Sequence, residues 1–262
     1  MLYFPHARNI FINADNYLDG IFGLRLLPSD AAKGRVTHYE TAVAPLLFRL
    51  WDIHPSAFVL YEIARASGKR VDIVPTQFSP DAFPKVPQNA FTGTKDNSYV
   101  DASKKGTEGK MCLPDKKSDH VNATGYGASA IISFNPFEWG QAGAVGLQGP
   151  GSAVDEILFH ELVHAMRHVC GKRNVCYGAP NGWGDYEEFI AVVLCNVYSC
   201  FTKRPLRQGV VGFQALPPAL STSQAFFTAF KDYLLPFGDD HQQLCDALKK
   251  DTALSFNPFT CM

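Results

Sequence analysis

The chain has 262 residues, 46% hydrophobic and 13% aromatic, enough to bury a large core and too apolar for intrinsic disorder. Its 24 basic and 25 acidic residues leave a net charge of −1, so the chain has no global basic footprint for nucleic acid, which is not expected as a partner. No run approaches the roughly 18 apolar residues a membrane span needs, and residues 1–20 lack the basic and apolar regions of a Sec-type signal peptide.

Along the chain, residues 1–35 show little periodicity and read as an irregular N-terminal arm. Residues 36–262 read as one domain. From Thr37 to Thr76 the pattern predicts two helices and a strand, with Pro55 near the start of the second helix and Gly68 as its stop. "RVDIVPT" alternates as a short strand ending at Pro75. Residues 91–127 are polar and close to neutral, and read as a long solvated surface loop. "GASAIISFNPF" (127–137) follows as an apolar strand.

A helix is predicted from Ser152, as its cap with Asp155 as partner, to Gly171 as its stop. A second opens at Asp185, carries Glu188 at its third helical position and ends before Pro205. Two more are expected over 221–234 and 239–250. Of seven cysteines, Cys170 and Cys176 flank a short "GKRNV" loop and could bridge, although buried free thiols are the default expectation. The "NAT" sequon at Asn122 reads as chance. "SFNPF" occurs twice, at 133–137 and 255–259, too far apart for a repeat architecture.

The chemistry concentrates in "ILFHELVHAMRHVC", residues 157–170. An apolar helix seldom carries ionisable groups unless something pairs with them or binds them. His160 and His164 are one turn apart, about 40° in azimuth, so both imidazoles project from one face. That is the geometry a tetrahedral ion needs from two ligands on one rigid element. Glu161 is too close in sequence to be a comfortable ligand and is well placed to take a proton from water. This is the H-E-x-x-H pattern of zinc metalloproteases. His168, rotated about 80° from His160, reads as exposed or as support for a ligand.

A metzincin needs Gly at 167 and His at 170, where this chain has Arg167 and Cys170, so that subclass is excluded. A third ligand from a following helix is available instead in "DYEEFIAV": Glu187 or Glu188, with the other free to orient a histidine. "GASAIISF" is the candidate edge strand for holding a substrate backbone. Tyr177, Tyr186 and Tyr198 are all candidates for oxyanion support, with none preferred.

"FHELVHA", then "YEEFIAV", with "GASAIISFNPF" upstream, resembles the NleD-type effector zinc metallopeptidases and, more distantly, clostridial neurotoxin light chains. The resemblance covers roughly residues 55–200 and is strongest at 155–195. It implies an α+β, zincin-like fold: a small mixed or antiparallel sheet packed on the H-E-x-x-H helix, with further C-terminal helices. It also implies a gluzincin-type zinc endopeptidase with His160, His164 and Glu188 on Zn2+, Glu187 in support and Glu161 as general base. A secreted bacterial effector or toxin is expected, exported without a Sec signal and acting on a host-cell protein in the target cytoplasm. The competing expectation is a catalytically silent, zinc-bearing module that holds a partner protein. A peptide deformylase is disfavoured because its E-G-C-L motif is missing.

Overall fold

The computed structural model describes residues 1–14, 30–75, 90–94, 127–137, 149–173, 178–210 and 213–262. Leu2–Phe4 (β1) and Ala7–Ile12 (β2) form an antiparallel hairpin, so the first part of the expected arm is sheet. β2 buries Ala7, Ile10 and Ile12, a pattern too short to stand out from sequence alone. The hairpin is tied down by rings: His6 stacks on Trp51 at 4.8 Å, and Phe4 meets Phe48 edge-on at 5.2 Å. Both partners lie on Asp30–Asp52 (α1), which begins inside the expected arm.

His54–Arg65 (α2) carries Pro55 in its first turn, and the chain reverses at Gly68, with φ of 70°, into Val71–Pro75 (β3). β3 pairs in parallel with β2 on one side and with Ala130–Phe134 (the strand labelled β5 below) on the other. Ala90–Thr94 (β4) pairs antiparallel with that strand, β5. The sheet order is therefore β1-β2-β3-β5-β4. This corrects two expectations. "GASAIISF" is an interior strand, not an edge; among the described residues the edges are β1 and β4, the latter drawn from the start of the segment read as a polar loop. "AFTGT" has no alternating pattern of its own, and pairing with β5 is what makes it a strand. The rest of that loop, with Asn122, lies outside the described residues.

Val154–Val169 (α3) and Tyr186–Phe201 (α4) form the centre of the molecule. α1, α2 and α3 touch the sheet and one another, and α4 packs behind on α2 and α3. α3 starts one residue later than expected. Ala153 occupies the cap position, Glu156 closes back on its backbone N–H at 3.0 Å, and the Ser152 hydroxyl bonds Gly149 instead. Asp155 is not a capping partner because Arg49, Arg204 and Tyr198 claim its carboxylate. α3 ends as expected at Gly171, whose φ of 65° allows Gly171 N–H to reach His168 O and Lys172 N–H to reach Arg167 O.

In α4, Asp185 caps as predicted, accepting from the Glu188 N–H at 2.9 Å. Val192, Val193 and Val197 are fully buried, as a helix apolar on every side requires. Arg207–Gln208 (β6) and Gln214–Ala215 (β7) make a small separate ribbon. Ser223–Asp240 (α5) runs past the expected end at 234 and through Pro236, with its break at Phe230. There the Phe230 ring packs between Trp183, Phe189 and Phe226. Gln242–Leu248 (α6) completes a mixed α+β architecture of a small mixed sheet and six helices among the described residues. None of those helices is long and apolar enough to cross a membrane.

Candidate metal centre

His160 and His164 project from α3 onto the first turn of α4, where Glu188 meets them. The two Nε2 atoms are 3.1 Å apart, His160 Nε2 is 2.9 Å from Glu188 Oε2, and His164 Nε2 is 3.5 Å from Glu188 Oε1. Zinc bonds of about 2.0–2.1 Å at tetrahedral angles place ligand atoms about 3.3 Å apart, so this donor set fits such an ion. The imidazoles are largely buried, while the Glu188 side chain is 32% exposed.

Electrostatics agree with a cation-seeking site. Burial pushes His160 down to about 4 against the pull of Glu188. Burial alone would lower His164 too, but the hydrogen bond and charge of Glu188, with Glu161 and Glu187 behind, raise it to about 9. Burial works to raise the Glu188 carboxyl, yet the two histidines hold it far below the usual carboxylate range. A positive charge thus belongs among these three groups.

Glu187 faces elsewhere. Both of its oxygens take the Nε–H of Arg167, at 3.0 and 2.8 Å, in a pair that is almost completely buried. The structure therefore distinguishes the adjacent glutamates: Glu188 is in the cluster and Glu187 anchors α4 to α3. Arg167 sits where a metzincin would need glycine. His168 is fully buried, which removes the reading of it as exposed.

Glu161 lies beside the cluster, outside it. Thr92 of β4 donates to Glu161 Oε2 at 2.6 Å and lies 3.1 Å from its backbone carbonyl. Burial raises the Glu161 carboxyl, while His164 and the Thr92 hydrogen bond work the other way. The edge strand thus delivers the hydroxyl that orients this side chain. No spacing rule links Thr92 to Glu161, so sequence reasoning missed it.

Arg207 was missed too. Its guanidinium places Nη2 3.1 Å from His160 Nδ1, and its backbone is held by Asn196 at 2.8 and 2.9 Å. Guanidinium has only donors, so Nδ1 accepts and the neutral ring carries its proton on Nε2, toward Glu188. Ligation of a metal through Nε2 requires that proton on Nδ1 instead. Binding an ion through Nε2 therefore requires the Arg207–Nδ1 hydrogen bond to break.

The tyrosine question narrows. Tyr186 donates to the Tyr233 carbonyl at 3.2 Å and Tyr198 to Asp155 at 2.7 Å, while Tyr177 lies outside the described residues. Cys176 lies outside them as well, and Cys170 is a free thiol. Comparison of the chain with models of protein families, with curated proteins and with solved structures finds no match.

Proposed function

We propose that the protein is a zinc-dependent endopeptidase of the gluzincin type on a zincin-like fold. The observation that carries this reading is the convergence of His160, His164 and Glu188 with Glu161 adjacent but excluded, its carboxylate clamped by the edge strand. Zinc held by those three residues supplies a Lewis acid for the scissile carbonyl and a water of lowered pKa.

The chain's own groups do the rest. Thr92 fixes Oε2 of Glu161, so the proton is received at Oε1 and passed to the leaving amine. Burial raises the carboxyl above its ordinary value, the direction that strengthens a general base. β4 pairs on one side with β5, and its other side is the place for an extended substrate to add as a strand. The resemblance to injected effectors supports a host-cell protein as substrate and export without a Sec signal.

Glu161→Gln is the test. It keeps shape and hydrogen bonding but cannot accept a proton. Zinc content should be unchanged and cleavage of an unfolded protein substrate reduced about 10²–10⁴-fold. A variant that cleaves as fast as the wild type would sink the mechanism.

A further inference from the structure

At the C-terminal end of α3, beyond His164, a cavity of about 490 Å³ opens between α2, α3 and the junction of α5 with α6. Glu62, Cys170 and His241 line it, and each offers a ligand atom within 4.8 Å of the others. The three come from separate elements: Glu62 from α2, Cys170 from the C-cap of α3, and His241 from the residue joining α5 to α6.

His241 carries the argument. The residue is 4% exposed, and its Nε2 is buried without a hydrogen-bond partner. Buried polar atoms are normally satisfied, and an orphan of this kind calls for an explanation. Burial, with the charges of Arg167 and Lys172, keeps the ring neutral, so a lone pair is available. The neighbouring cations do not fill the role: Arg167 and Lys172 pair with Asp240 at 3.5 and 3.3 Å, and Arg65 bonds Gln243. Arg65 also approaches Glu62, at 3.8 Å.

We propose that Glu62, Cys170 and His241 form a second zinc site that links α2 and the end of α3 to the α5–α6 junction. A thiolate, an imidazole and a carboxylate are the donor types zinc accepts, with the cavity leaving room for a water as fourth ligand. Binding displaces the Cys170 proton to solvent, so loading releases acid. The site shares no ligand with the first cluster, and either can stand without the other.

The test uses the full chain, reduced and loaded with Zn2+ or, for its spectrum, Co2+. About two ions per chain are expected, falling to about one in Cys170→Ser and in His241→Gln. Cobalt should show a thiolate-to-metal charge-transfer band, which the His160–His164–Glu188 cluster cannot produce. That band should persist in Glu188→Gln and vanish in Cys170→Ser, with His241→Gln serving if the serine variant fails to fold. A wild type without the band, or a Cys170→Ser protein that retains it, overturns the second site. A single ion lost only with Glu188→Gln also overturns it while leaving the protease reading intact. A single ion lost only with Cys170→Ser does the reverse.

Discussion

His160 is contested from two sides. Glu188 lies 2.9 Å from Nε2 and accepts its N–H, while Arg207 lies 3.1 Å from Nδ1 and takes its lone pair, so the neutral ring has no lone pair left on Nε2 for a metal. A group that orients a metal-bound histidine normally accepts its second N–H, and deleting such a group costs about 10–100-fold in metal affinity. Arg207 donates instead, which holds the ring in the tautomer that does not bind metal through Nε2. Arg207→Leu is therefore expected to bind zinc at least as tightly as the wild type, read by competition with a chelating dye. A loss in the 10–100-fold range would mean that Arg207 supports the ligand after all.

Elements meet at few points, and one of these can be tested without touching the cluster. Gly127 has a φ of 63°, and a Cβ there would lie inside the Val169 carbonyl at the end of α3. The next residue donates from Ala128 N–H to His168 O at 3.0 Å, so the entrance to β5 is stitched to α3. Gly127→Ala should destabilise by about 1–3 kcal/mol through left-handed backbone strain. The expected signature is a lower denaturation midpoint in urea with an unchanged slope. A variant as stable as the wild type would mean that this approach is loose. The two "SFNPF" segments also gain a reason at this scale. In both, the Asn side chain accepts from the Phe two residues on, Asn135 from Phe137 at 2.9 Å and Asn257 from Phe259 at 3.3 Å. The same short sequence makes the same local turn at two unrelated places.

Across the whole molecule, Asp155 joins α1, α3, α4 and the segment after α4. It meets Arg49 at 3.1 Å, Arg204 at 2.8 Å and Tyr198 at 2.7 Å, with its side chain 3% exposed. Burial works to raise its carboxyl, but the hydrogen bonds of Arg204 and Tyr198 and the charges of Arg204 and Arg49 lower it below its ordinary 3.8. A depressed carboxylate contributes stability above its unfolded value, and the contribution is lost as pH falls through the folded value. Asp155→Asn should cost about 1.5–3 kcal/mol at neutral pH, the range for hydrogen bonds to a charged group. The gap between wild type and variant should close as pH drops from above 3.8 to well below it. Thermal melts across pH 2–7 would read this, and a gap independent of pH would sink the assignment.

The amino-acid sequence determined what is local. Ser, Asp, Gly and Pro signals bracketed α3 and α4 to within a residue or two. The i, i+4 spacing put His160 and His164 on one face because helical azimuth depends on nothing outside the helix. The hairpin β1–β2, the edge strand β4 and the continuation of α5 past Pro236 escaped because their stabilising partners lie far away in the chain. Tertiary structure alone decided which of two adjacent glutamates meets the histidines. About 100° of azimuth separates neighbours on a helix, and the packing of α4 on α3, with Arg167 holding Glu187, sets that rotation. It also brought Thr92 to Glu161 and Arg207 to His160. Those contacts join residues 69 and 47 positions apart, and no periodicity in the sequence extends that far.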